Sequence, residues 1–345
     1  MSAPRGLTTL ACLLGLITPT LWFGSLVTPG EEAVKIRNGL AAEVAQAGEF
    51  EWTPAQVPKS FKLNQADPTT RYRSVAATIR ADNPNMANDG LDAALAISRH
   101  LMQAPVRSGG AIQRGLDESY QGITAKGRGY CADFTRVFSG LAIAMGLPVR
   151  TWSISFEGFG AGHSFNEIYD AARSKWVMVD SFHSLYFVDP TTREPLSVLE
   201  LHDRLLFPDG KAADVAIQPI VAARIPFKSD ALALDYYRRG FSELALVWGN
   251  NVFDYDQSRA IKAAAHASRH VERAVAIGLD VYPDLKIYPR GRSQRDVDAL
   301  FRTRDRFVAA SLLLVLSLAV FGYLLVRVWK PPVTDLLRRR TQEPG

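Results

Sequence analysis

Gly127–Arg150, GRGYCADFTRVFSGLAIAMGLPVR, is the stretch of this 345-residue chain on which the reading of the fold turns. Phe134, Val137, Phe138, Leu141 and Ile143 recur at helical spacing, and Gly146 with Pro148 behind it stops the run. The spacing predicts a helix over Cys131–Met145 with the cysteine at its N-terminus. Free N–H groups and the helix dipole favour an anion there, and a thiol is a nucleophile only as thiolate. Gly127 and Gly129 just before it are expected to let a substrate approach the backbone, and the Cys131 N–H to donate to an oxyanion. A buried structural cysteine is the competing reading of Cys131 taken alone.

Downstream, three strand-like runs follow, Val149–Phe156, Ser164–Tyr169 and Trp176–Asp180, separated by EGFGAG and DAARSK. His163 begins the second strand and Asp180 ends the third. If the two strands form a hairpin across DAARSK with Tyr169 opposite Ser174, then Phe165 faces Met178 and His163 faces Asp180. Opposed residues have Cβ atoms about 5 Å apart, within reach of a carboxylate–imidazole hydrogen bond. The turn lacks Asn-Gly, so the register can slip by two residues, which still leaves the pair in diagonal contact. The three residue types then fit one mechanism: Cys131 attacks a carbonyl, His163 moves the proton and Asp180 orients the imidazole.

The order and spacing of GRGYCADFTRVFSGLAIAMGLPVR, HSFNEIYD and KWVMVD resemble the three blocks of the transglutaminase-like superfamily, relatives of the papain-like thiol enzymes. The shared pattern is Gly-x-Cys opening a helix that ends in Gly-Leu-Pro-x-Arg, then His-x-aromatic-x-Glu, then Trp-x-x-x-Asp. It covers about Ala87–Asp189. The resemblance implies an α+β fold in which an antiparallel sheet packs on the Cys-bearing helix, and a triad of Cys131, His163 and Asp180. Phe165 stands where the family often has Trp, and Ser181 where Pro often follows the Asp.

Other residues carry weaker signals. Tyr120 and Gln121 are candidates for the second oxyanion donor, and Glu167, on the predicted strand face of His163, for substrate contact or for bracing the sheet. Asp133 suits the first turn of its helix as a structural carboxylate, and Trp152 and Trp176 suit core or cleft wall. His266 and His270 lie four apart on a distal helix, but HExxH and a third ligand are missing. A zinc site of Cys131, His163 and His183 would leave Asp180 unexplained. No metal or other cofactor is therefore expected, and no phosphate loop or dinucleotide fingerprint is present.

Composition frames the rest. The apolar fraction of 47% is ample for a core, and the net charge of +5 is spread among acidic residues and concentrated near the ends. That pattern points to membrane flanks and away from nucleic acid. Gly6–Val27 and Phe307–Val326 are uncharged runs long enough to span about 30 Å of hydrocarbon. No small-x-small cleavage site follows the first, so an uncleaved anchor is preferred to a cleaved signal. Two spans put both ends on one side. Arg5, Lys330 and Arg338–Arg340 favour cytoplasmic ends, which leaves the main domain extracytoplasmic, on the inner membrane of a bacterial envelope. With Cys12 in lipid, Cys131 has no disulfide partner.

The expected layout is an N-terminal anchor over 1–28, an irregular stalk over 29–84 and the transglutaminase-like domain over 85–225. A helical region over 226–304, a C-terminal span over 305–330 and a cytoplasmic tail over 331–345 follow. Two functions are open at this point. One is a membrane-anchored thiol enzyme acting on peptide or protein amides through a thioester, as hydrolase or acyl transferase. The other is a non-catalytic scaffold of the same fold that binds envelope assembly proteins in a cell-surface polymer pathway.

Overall fold

The computed structural model describes residues 16–17, 19–25, 30–84, 86, 90–104, 109–112, 114–208 and 214–329. The described residues fall into two compact units, one within residues 40–297, the other made of those before 40 and after 297.

In the first unit, a six-stranded sheet is built from β1 (Ala42–Val44), β2 (Val149–Ser155), β3 (Gly162–Asp170), β4 (Lys175–Val179), β7 (Leu244–Trp248) and β8 (Asp284–Ile287). Their order across the sheet is β1-β8-β7-β2-β3-β4, and only β1 and β8 run parallel. A smaller ribbon pairs β5 (Leu185–Val188) with β6 (Ala216–Pro219). The fold is thus α+β with a mostly antiparallel sheet, as expected.

Both faces of the sheet are buried, and side-chain alternation sorts them. On one face Val149, Ile168, Val177 and Val179 meet the Cys131–Ala144 helix through Phe134, Val137, Phe138 and Leu141. Helices Thr70–Asp82, Gly90–Leu101 and Leu116–Lys126 pack around that helix. On the other face Trp152, Phe165 and Met178 join Phe50, Trp52, Phe61, Trp248 and Tyr237 in a second core. The Cys131–Ala144 helix and the strands β2, β3 and β4 fall within one or two residues of their predicted bounds.

Two expectations are overturned. Residues 29–84 are no irregular stalk: they contain the helices Glu31–Ala41 and Thr70–Asp82, add β1 to the sheet and bury Phe50, Trp52 and Phe61. Pro54 opens a 3-10 turn, and the aromatic anchors follow no fixed period, so pattern alone reads as irregular. Likewise, 226–304 is not purely helical. β7 lies between β2 and β8 in the main sheet, so the 85–225 boundary cuts through one folded body. LALVW, residues 244–248, is a short, wholly apolar run whose strand character periodicity cannot reveal.

The second unit holds most of the helix Gln294–Trp329, of which Gln294–Leu324 is long and apolar enough to cross a membrane. Leu312, Val315 and Leu316 on it are exposed. Among the described residues it is the one such helix, where two spans were expected. Most of the N-terminal run, residues 6–15 together with 18, 26 and 27, lies outside the described residues.

Candidate active site

Cys131 is the first residue of its helix, and two devices fix the entry. Asp133 is buried and its Oδ2 accepts from the N–H groups of Tyr130 and Ile112, each at 3.0 Å, which confirms a structural carboxylate at the helix start. Gly127 (φ +60°) caps the preceding helix in the left-handed region, and Gly129 has φ +119°, closed to most L-residues. A Cβ on Gly129 would stand 3.1 Å from Ile123 Cγ1. These glycines therefore serve the backbone turn that aims the cysteine, and the expected role in substrate access is not needed to explain them.

The partners come from the ends of β3 and β4. The observed register pairs Tyr169 with Trp176 and Glu167 with Met178, two residues away from the expected one. Asp170 pairs with Lys175 across a four-residue loop. Its carboxylate accepts from the Arg173 N–H at 3.0 Å, and Ser174 turns with φ +53°. His163 and Asp180 are consequently diagonal neighbours, and Nε2 of His163 lies 2.5 Å from Oδ2 of Asp180. Both are buried. The Cys131 sulfur is 4.0 Å from the carbonyl oxygen of Gly162, the residue before His163, and the cysteine is free.

Asp180 is held from several directions. Its N–H donates to Leu185 O at 2.9 Å, and Leu185 N–H donates back at 3.1 Å, closing the turn in which Ser184 adopts φ +63°. His183 N–H donates to Asp180 Oδ1 at 2.8 Å, and its Nδ1 is 3.2 Å from Oδ2. Tyr237 Oη, from the helix Asp230–Gly240, donates to Oδ2 at 2.5 Å. The His163 and His183 rings stack at 4.1 Å with 22° between planes. Burial alone would lower the His163 pKa, but the Asp180 carboxylate, and after it the Cys131 side chain, raise it to about 9. Burial would raise the Asp180 carboxyl, yet the two imidazoles hold it well below the usual carboxylate range. At neutral pH His163 therefore carries its proton.

Glu167 is not a substrate group. It is fully buried, and its Oε2 accepts from Arg150 Nε and Trp152 Nε1, each at 2.6 Å, while Oε1 accepts from Val198 N–H at 2.8 Å. Arg150 in turn lies 4.2 Å from the Trp176 ring centre and 5.0 Å from that of Trp52. The Arg and Glu of the sequence blocks thus lock the sheet to the helix Val198–Leu206, and Trp152 and Trp176 are core. Tyr120 Oη bonds His100 at 2.8 Å and the ring stacks on it, and the Gln121 amide group lies against the Arg71 guanidinium. Neither contact is to Cys131 or His163.

Metal ligation fits poorly. One ligand atom each from His163, Asp180 and His183 lies within 4.8 Å of the others. However, two ligands each about 2.0–2.2 Å from zinc in a tetrahedron stand more than about 3 Å apart. The 2.5 Å between Nε2 and Oδ2 is a hydrogen bond that leaves no room for an ion. His266 Nδ1 donates to Lys262 O at 2.8 Å, and the His270 side chain lies outside the described residues.

Sequence reasoning missed Tyr237 and saw His183 only as a zinc ligand. His183 follows Asp180 by three residues, a turn spacing that could have flagged it. Tyr237 approaches from 57 residues downstream with no local signal.

No curated protein and no solved structure matches the chain. The family model of the transglutaminase-like superfamily matches residues 73–181, a span that takes in Cys131, His163 and Asp180 and stops short of His183, Tyr237, β7 and β8. Over residues 73–181 the chain is thus similar to the transglutaminase-like superfamily.

Proposed function

We propose that the chain is a membrane-anchored thiol enzyme that acts on amide bonds through a thioester, with Cys131 as nucleophile, His163 as general acid and base, and Asp180 as the group that orients the imidazole. The observation that carries this reading is the middle position of His163. Its Nε2 is bonded to Asp180, and the Cys131 side chain raises the affinity of the same ring for its proton. Nε2 being engaged, Nδ1 is the nitrogen that can serve the sulfur.

In the first half-reaction the Cys131 thiolate adds to the amide carbonyl. The C–N bond then breaks as the His163 imidazolium gives its proton to the departing amine, which leaves a thioester. In the second half, water or another amine loses a proton to His163 as it attacks; the C–S bond breaks and the thiolate returns. Hydrolysis and acyl transfer share the first half and differ only in the acceptor, which water exclusion at the cleft decides. The Cys131 N–H at the helix N-terminus is the first donor for the oxyanion.

The apolar stretch Gln294–Leu324 supports anchoring, and the basic residues at both chain ends support an extracytoplasmic main domain in a bacterial envelope. The substrate is then a peptide or protein amide of that compartment. Full-length protein in detergent, incubated with a panel of peptide carboxamides and hydroxylamine, is expected to form hydroxamates that vanish in Cys131→Ala. A wild-type yield no higher than that of Cys131→Ala across the panel contradicts the reading and leaves the scaffold.

A further inference from the structure

Asp180 receives more donors than an orienting carboxylate requires. Oδ2 takes hydrogen bonds from His163 Nε2 and from Tyr237 Oη, both at 2.5 Å, and His183 Nδ1 stands 3.2 Å from the same atom and 3.1 Å from the phenol oxygen. Tyr237 has little freedom to do otherwise. It is fully buried, and its ring meets Phe187 edge-on at 5.0 Å and Phe165 at 6.1 Å. Burial first, and then the charge of Asp180, push its hydroxyl far above the ordinary range, so it stays a neutral donor.

We infer that Tyr237 is a positioning residue of the catalytic centre: by donating to the carboxylate oxygen that His163 uses, it divides the charge of Asp180 and keeps the His163 proton transferable. The inference rests on the thiol-enzyme reading above. A fully buried carboxylate with a single imidazolium partner would bind that proton tightly, since no water shares the charge. A general acid that holds its proton too tightly returns it slowly to the leaving amine. The second donor relaxes the pair without ionising.

The groups that act on His163 come from every element around it. Asp180 stands at the end of β4, and His183 stacks from the following turn. Cys131 acts from the helix N-terminus. Tyr236 and Tyr237 lie 5.9 Å and 6.3 Å away, ring to ring, on the helix Asp230–Gly240. That helix lies beyond the family match, so on this account the C-terminal part of the chain completes the centre.

The test is the titration midpoint of the His163 imidazole, followed by carbon-13 histidine NMR on the full chain in detergent, with His163→Ala assigning the signal. In Tyr237→Phe the carboxylate, with one donor fewer, is expected to raise the midpoint by about half a unit to one unit, a threefold to tenfold rise in proton affinity. Hydroxamate yield is measured in the same samples. An unchanged or lowered midpoint beside normal wild-type yield overturns the role of Tyr237 alone, whereas no yield in the wild type overturns the enzyme reading and this inference with it. Should Tyr237→Phe not fold, 3-fluorotyrosine incorporated at position 237 keeps the ring and strengthens the donor. Its midpoint is then expected below wild type, and a rise or no change overturns the inference.

Discussion

Asp180→Asn is the sharpest perturbation of the site, because it keeps the shape of the side chain and removes only its charge. Burial by itself lowers the His163 pKa, and Asp180 heads the groups that reverse this and bring it to about 9. Without the charge the midpoint is expected to return to the ordinary imidazole value of 6.5 or lower. That fall of at least about 2.5 units corresponds to about 3 kcal/mol of lost imidazolium stabilisation. At pH 7 the protonated fraction drops from about 99% to about a quarter or less. Histidine NMR gives the midpoint, and the rate of Cys131 alkylation by iodoacetamide at pH 7, with peptide mapping to separate Cys12, gives the consequence for the sulfur. The midpoint should fall below 7 and the rate with it. A midpoint that stays near 9 in Asp180→Asn would refute the coupling on which the mechanism stands.

The same pair shapes stability against pH. The folded His163 pKa lies above its unfolded 6.5, so its contribution is complete below 6.5 and is lost as pH rises through about 9. The folded Asp180 pKa lies below its unfolded 3.8, so its contribution is present above 3.8 and fades as pH falls below it. The difference in melting temperature between wild type and Asp180→Asn should therefore change with pH, declining from pH 6.5 towards 9; a difference constant over that range would contradict the assignment. Gly129→Ala, at φ +119° and with Ile123 in the way, should cost about 1–3 kcal/mol in urea unfolding, and more than Gly127→Ala. Equal effects would argue against the turn geometry. Glu167→Gln strands the Arg150 charge in the core and should cost about 3–5 kcal/mol, read by thermal melting; a loss under about 1 kcal/mol would show that the pair is not closed to water.

Local features of the fold were legible because local physics makes them. The Cys131 helix announces itself through Phe134, Val137, Phe138 and Leu141 on its buried face and ends where Gly146 turns with φ +70°. The meeting of His163 with Asp180 was legible because a two-residue slip keeps both side chains on one sheet face. The slip itself was not, since it depends on Asp170 accepting from Arg173 inside the turn. Non-local features were hidden. Trp52 and Phe50 form a core face from a segment without period, and β8 joins β1 across more than two hundred residues. Tyr237 reaches Asp180 only because Phe165, Phe187 and Phe241 hold its ring, an arrangement that exists once the sheet is formed.

The central claim is that sulfur, imidazole and carboxylate act as one unit, and the rate of Cys131 alkylation at pH 7 in wild type and His163→Ala tests it most directly. A protonated neighbour favours the anion on sulfur, so the account predicts a rate that falls at least about tenfold when the imidazole is removed. Equal rates in the two proteins would mean that the cysteine behaves as an isolated thiol and would contradict the account.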